Sequence, residues 1–223
     1  MTGGSANALR KLTPRQTERR GRILSSARTL LSEQSYDAVT MRAIAAASGT
    51  VEKTLFNIFG NKDRLMAAAA FERSAGVFEL AIQRSPEPGW PRLMALCDAI
   101  AEVTLEAPEM ARGLAVPVLD HFELVGLNLL YDKHVGEALE SMVANGRLIP
   151  AVPQALVAHV IQLGVVSSVV FWAKDELSDM ELRPFLRLRV NESLLPHAEA
   201  GFTPYLKREI DASFGQLARR NEA

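Results

Sequence analysis

The chain reads as an all-α protein, a three-helix amino-terminal head followed by a larger helical body. Three observations lead there. Apolar residues recur at three-to-four spacing between helix caps and Gly/Pro breakers, with no alternating strand pattern and no repeat of fixed period. The stretch Thr40 to Lys62 packs two short helices around Gly49, a site where the chain must bend through φ > 0. The charge is divided: residues 1–64 carry 11 Lys+Arg against 5 Asp+Glu, a net of +6, whereas residues 65–223 carry 14 against 21, a net of −7. A basic head and an acidic body imply that only the head meets a polyanion.

The elements follow in order. Thr13-Pro14-Arg15-Gln16 combines a hydroxyl cap, proline at the first helical position and Gln at the third, a helix start. Ile23, Ala27, Leu30 and Leu31 carry that helix to near Gln34. Thr40 caps the next, in which Ala43, Ala45, Ala46 and Ala47 are small enough to let a neighbour approach. Past Gly49, Val51, Leu55 and Phe59 fall on one helical face. Asn61 caps a helix from Lys62 toward Arg84, ended by Ser85-Pro-Glu-Pro-Gly89.

In the body, Pro91 starts a helix that Pro108 interrupts, and Pro117 marks another break before a long segment ending at Asn145-Gly146. Pro153 opens a helix to about Lys174 that is apolar nearly all round. Ser178-x-x-Glu181 has the form of a capping box, but Pro184 would then lie inside the helix, so the start is either Ser178 or nearer Arg183. Thr203-Pro204 starts a last amphipathic helix through about Arg219.

Composition narrows the function classes. At 223 residues and 48% hydrophobic content the chain can bury a large core. Single Cys97 permits no intrachain disulfide, and Met1 to Leu12 has no apolar run of signal-peptide length. The most apolar window, 160–173, is interrupted by Gln162, Gly164, Ser167 and Ser168 and falls short of the ~20 residues of a membrane span. Cytoplasmic residence, with no membrane partner, is the expectation. Catalysis lacks its usual constellations: the His residues stand scattered at 121, 134, 159 and 197, and neither His-x-x-x-His nor Gly-x-Ser-x-Gly occurs. No enzyme activity, no cofactor and no metal are expected.

The order and spacing of Thr40, Ile44-Ala45, Gly49, Thr54-Leu55-Phe56, Phe59 and Lys62 closely resemble the TetR family of one-component transcriptional regulators. The match covers residues of about 14 to 66; the rest resembles the family only in being all-helical. The resemblance implies a basic arm (1–13), a helix-turn-helix DNA-binding domain (14–64) and a helical ligand-binding and dimerisation domain (65–223). It also implies a homodimer on a pseudo-palindromic double-stranded DNA operator, most simply a repressor released by a small, mainly apolar effector. An activator, or control by a protein partner, is equally compatible with the head.

Residue roles follow from that placement. With residues 51–59 in the major groove, Glu52 can accept from cytosine, Lys53 can donate to guanine and Thr54 can meet a thymine methyl. Arg42 matches a base-reading position of some members. Thr40, Phe56 and Lys62 match positions that touch phosphate or the groove wall, and Thr50 and Asn57 complete the candidate set. The alternative for Glu52 and Lys53 is plain solvated surface. Phe56 stands where the family usually has Tyr, Lys53 where a small or kinking residue is usual, and Val51 where a Ser cap is common, leaving Thr50 or Ser48 to cap. Arg10, Lys11, Arg15, Arg19, Arg20 and Arg22 gather on and before the first helix, where phosphate contacts are expected.

For the effector, Met and aromatic residues of the middle helices can line an apolar cavity. The candidates are Leu93, Met94, Cys97, Met110, Phe122, Leu129 and Trp172, with His121, Tyr131 and His159 as polar contacts; the competing reading for each is ordinary core or surface. The scarcity of basic residues there argues against a strongly anionic ligand. For dimerisation, the helix from Pro153 to Lys174 and a stripe of Leu182, Phe185, Leu186 and Leu194 can form a four-helix interface.

Overall fold

In the computed structural model, residues 13–218 are described, and among them eleven α-helices and one 3₁₀ turn follow one another. The head comprises α1 (Pro14–Glu33), α2 (Met41–Ala47) and α3 (Glu52–Phe59), with α4 (Lys62–Arg84) leading out of it. The body holds α5 (Trp90–Glu106), α6 (Pro108–Asp120), α7 (Phe122–Val125), α8 (Leu127–Ala144), α9 (Gln154–Ala173), α10 (Asp179–Leu194) and α11 (Thr203–Ala218), with a 3₁₀ turn at Leu195–His197. The expected basic residues Arg10 and Lys11 and the end at Arg219 lie outside the described residues.

The caps behave as their chemistry requires. At α1, Thr13 N–H donates to Gln16 Oε1 (2.8 Å) while Gln16 N–H donates to Thr13 Oγ1 (3.3 Å). Ala43 N–H donates to Thr40 Oγ1 (3.1 Å), and Arg64 N–H to Asn61 Oδ1 (2.8 Å). Gly49 sits at φ +65, as the turn demands. The 64/65 domain boundary falls inside α4, so one continuous helix serves both head and body.

Several boundaries differ from the sequence reading. Proline is tolerated in a first turn, so Pro108 starts α6 rather than merely ending α5. The backbone helix continues through position 117, and the break comes instead at His121 and at Gly126, which adopts φ +73. Helix α10 starts after Ser178: the Glu181 carboxylate accepts from the Ser178 N–H (2.8 Å) and Oγ (2.7 Å). Pro184 lies inside it, near enough to the amino end to displace a single backbone bond.

A buried apolar core runs from Ile23, Ile44 and Leu55 in the head, through Leu65 and Met66 of α4, to Leu139, Ile161 and Leu186 in the body. Helix α6 meets α1 closely: a Cβ at Gly113 would stand 3.2 Å from Leu31 Cβ and 3.3 Å from the Leu31 carbonyl oxygen. Helix α9, at 20 residues and a mean hydropathy of 1.9, is after all long and apolar enough to cross a membrane; the interruptions at Gln162, Gly164, Ser167 and Ser168 do not lower it below that level. Here it packs against α8, α10 and α6, which accounts for its buried apolar faces but not for Leu156, Val160, Leu163 and Phe171, which are exposed.

Candidate nucleic-acid interface and body cavity

The head presents α3 outward. Leu55 and Phe59 anchor it, at 0% and 6% exposure, and the Arg20 guanidinium lies 4.8 Å over the Phe59 ring. Glu52, Lys53, Phe56 and Asn57 are exposed, Thr50 and Thr54 half-buried, and Arg42 on α2 is exposed. Neither Arg42 nor Lys53 has an ion-pair partner among the described residues. Val51 does not share the face of Leu55 and Phe59. It is the residue before the helix, 65% exposed, and offers no side-chain cap.

Two expectations at the head need correction. Ser48 does not cap α3, because its hydroxyl donates back to the Ile44 carbonyl (2.7 Å) at the end of α2, and Thr50 makes no capping bond either. The first N–H groups of α3 therefore have no side-chain acceptor. Lys62 has a partner inside the head: its Nζ donates to the Tyr36 carbonyl (3.0 Å) and lies 4.3 Å over the Tyr36 ring, which leaves further N–H donors on the ammonium. An ammonium at a helix start opposes the helix dipole, and the carbonyl and ring offset that repulsion. The Tyr36 hydroxyl in turn donates to Asp63 Oδ1 (2.6 Å), and His121 Nε2 lies 3.7 Å from the same oxygen. Burial, with the Asp63 bond second, pushes the Tyr36 phenol well above its usual pKa. Sequence reading missed this Tyr36–Lys62–Asp63 knot because its members are some 26 residues apart.

Among the basic residues of α1, Arg22 pairs with Glu18 (3.4 Å) on an exposed face and Arg28 with Glu72 of α4 (3.2 Å). Arg15 and Arg19 are exposed without such partners among the described residues. Thr40 uses its oxygen as an acceptor within α2, which leaves its hydroxyl proton to donate outward.

In the body, α4, α5, α6, α8 and α9 line a partly open cavity of about 120 Å³. Val77, Phe78, Leu114, Val165 and Val169 supply much of its wall, and Arg73, Ser74, Thr104 and Tyr131 its polar atoms. None of Leu93, Met94, Cys97, Met110, Phe122, Leu129 and Trp172 lines it. Leu93, Met94 and Cys97 are buried, and the Met94 sulfur lies 3.6 Å from Asn191 Nδ2 of α10. Trp172 is fully buried, its Nε1 donating to Asp179 Oδ1 (2.7 Å). Leu129 is 64% exposed, Phe122 half-buried on α7, and Met110 touches the cavity only through Arg73, 3.0 Å from its sulfur. Tyr131 does line the cavity, whereas His159 is exposed on α9. The legible signal was Ala70, Arg73, Ser74, Val77 and Phe78: a polar pair set into an apolar helical stripe.

The presumed second dimerisation stripe is also corrected. Leu182, Leu186 and Leu194 are fully buried within the protomer, and only Phe185 is partly exposed, under the Arg189 guanidinium at 5.1 Å. Helix α9 instead exposes Leu156, Val160, Leu163 and Phe171, beside a groove reaching Arg189, Ser193 and Pro196. Among the described residues no cluster of His, Cys, Asp or Glu is arranged to hold a metal.

An exposed helix behind a glycine turn, carried by an all-α body, is the arrangement of a helix-turn-helix. Residues 23–69, which span most of the head and the start of α4, match the family described as bacterial regulatory proteins, tetR family. A comparison with curated proteins finds no match. Solved structures share the fold over most of the chain. A TetR transcriptional regulator from Rhodococcus sp. RHA1 is 15% identical, with a TM-score of 0.65 over 81% of this chain and 97% of that one. SmeT, the repressor of the Stenotrophomonas maltophilia multidrug efflux pump SmeDEF, is 18% identical, with a TM-score of 0.59 over 86% and 93%. Thermus thermophilus FadR, a transcriptional repressor in complex with lauroyl-CoA, is 22% identical, with a TM-score of 0.59 over 77% and 93%.

Proposed function

We propose that this chain is a ligand-responsive repressor, a homodimer that holds a pseudo-palindromic operator until a small, mainly apolar molecule enters the body cavity. The observation that carries the reading is α4: the helix whose amino end is tied to the head at Tyr36 supplies Arg73, Ser74, Val77 and Phe78 to the cavity wall. A ligand that binds one tilt of α4 better than another biases the head through a single rigid element. Arg42, Glu52, Lys53, Thr54 and Asn57 are the proposed base-reading set, and Thr40, Thr50 and Phe56 the backbone and groove-wall set. The exposed apolar stripe of α9 is the proposed dimer face, since a monomer gains nothing from leaving it in water.

The test is selection of duplexes from a random pool by the full-length protein, followed by fluorescence anisotropy. A palindromic consensus with half-sites about one helical turn apart (~34 to 36 Å) is expected, with affinity falling steeply as salt rises. Binding without sequence preference or salt dependence overturns the reading. The sign of regulation is read from a reporter bearing the selected operator, whose output should fall when the protein is expressed. Chemistry on a substrate is not part of this function.

A further inference from the structure

The cavity wall contains one group that does not match its surroundings. Arg73 is half-buried on α4, where its guanidinium donates to the Val103 carbonyl and lies 3.0 Å from the Met110 sulfur, both neutral acceptors. Other body arginines meet carboxylates: Arg84 meets Glu102 (2.7 Å), Arg112 meets Asp175 (2.9 Å) and Arg187 meets Asp98 (3.0 Å). Arg73 has no such partner among the described residues. The adjacent Glu72 pairs with Arg28, and Glu106 acts on Arg73 only from beyond ion-pair distance. Burial, with the like charge of Arg28 second, lowers the Arg73 pKa against the opposing field of Glu106. A desolvated cation without a counter-charge is costly, and a ligand that supplies the charge recovers that cost.

Two neighbours reinforce the point. The Tyr131 and Thr104 hydroxyls belong to residues of the same wall, and neither makes a hydrogen bond to another described residue. A guanidinium with the hydroxyls of Tyr131, Thr104 and Ser74 in a mostly apolar wall matches one kind of molecule: a compact anion on an apolar body. Size limits that body. An apolar cavity of about 150 Å³ takes up benzene, so the 120 Å³ here suits a single ring or a short alkyl chain.

We propose that the cavity binds a small apolar monocarboxylate, held at its carboxylate by Arg73 with Tyr131 or Thr104 as second donor, its body against Val77, Phe78, Val165 and Val169. This rests on reading the cavity as the effector site, and it replaces the expectation that anions are disfavoured there. Carboxylate capture also draws Arg73 from Val103 and Met110, the contacts that tie α4 to α5 and α6.

Calorimetric titration of the full-length protein with benzoate and hexanoate, against the neutral counterparts nitrobenzene and hexanamide, tests it. Each acid should bind roughly 10- to 100-fold tighter than its neutral counterpart. Arg73→Gln should remove that preference while leaving the neutral molecules unchanged, and Tyr131→Phe should reduce it in part. Equal or tighter binding of the neutral molecules, a preference that survives Arg73→Gln, or no binding of any of the four overturns the proposal. If Arg73→Gln fails to fold, the acid-against-neutral ratio of the unaltered protein decides. Anisotropy on the selected operator separates the two readings. Release by the neutral molecules alone keeps the effector cavity and removes the carboxylate; Arg73-dependent acid binding that leaves operator affinity unchanged keeps the carboxylate site and removes the release mechanism.

Discussion

Arg42 and Lys53 on the head and Arg73 in the body are all cations without a carboxylate partner, yet water makes them different objects. On the exposed face of α2 and α3 an unpaired charge is solvated and costs almost nothing, so it can wait for a polyanion and be exchanged between bases and phosphates. Against the cavity the same charge has lost much of its hydration and has only a carbonyl and a sulfur in exchange. The head therefore offers charge to a large partner at little cost to folding, whereas the body stores a deficit that one small partner can fill. Specificity at the head comes from geometry along a groove; in the body it comes from the penalty of leaving Arg73 alone.

The largest expected effect tests whether the head's outward face depends on its small core. Leu55 is fully buried and holds α3, so Leu55→Ala should cost about 2 to 5 kcal/mol in urea denaturation and abolish operator binding. A loss below about 1 kcal/mol would mean that α3 is held by something else. The next pair separates solvated from engaged cations within the head itself. Lys53→Ala should cost ~1 to 3 kcal/mol on the preferred operator and little on random DNA. Lys62→Ala should lower thermal stability by about 1 kcal/mol, through the lost Tyr36 bond, and leave the salt slope of DNA binding nearly intact. A flattened salt slope for Lys62→Ala would return that residue to the phosphate contacts.

The smallest effect concerns the body's closure. Cys97 is fully buried, and burial pushes its thiol up to about 12, with the field of Arg187 acting the other way. At pH 8 the native protein should therefore react with a thiol reagent only through opening, at a rate that falls when the cavity is filled. Immediate stoichiometric labelling would show that α5 and α10 part readily.

The head was legible because its signals are local. Thr40 to Ala43, Asn61 to Arg64 and the turn at Gly49 are set within three or four residues, so caps and helix limits followed from sequence. Its α3 cap was misread locally, because Ser48 turns back to Ile44, and the Tyr36–Lys62 contact was not legible because its members lie 26 residues apart. In the body, residue type misled. Met94, Cys97 and Trp172 are as apolar as any cavity wall should be, but Met94 and Trp172 meet α10 and Cys97 is fully buried away from the cavity, whose wall is built mostly of valine, alanine and leucine. Which apolar residue faces a void and which faces a neighbour depends on how helices cross, and a helical stripe does not encode it. The same reason placed Leu182, Leu186 and Leu194 in the protomer core rather than between protomers.

Helix α4 is 23 residues long without a break, which makes it a lever whose arms can be measured. Arg73 stands eleven residues beyond Lys62, roughly 16 Å along the axis at 1.5 Å per residue. A tilt of about 5° about Arg73 would then carry the Lys62 end, and the Tyr36 knot fastened to it, by about 1.4 Å. Two such heads facing adjacent turns of a groove would together shift by close to 3 Å, comparable to the length of a hydrogen bond. On the proposed reading, a small pocket would thus set whether two distant helices fit the same piece of DNA.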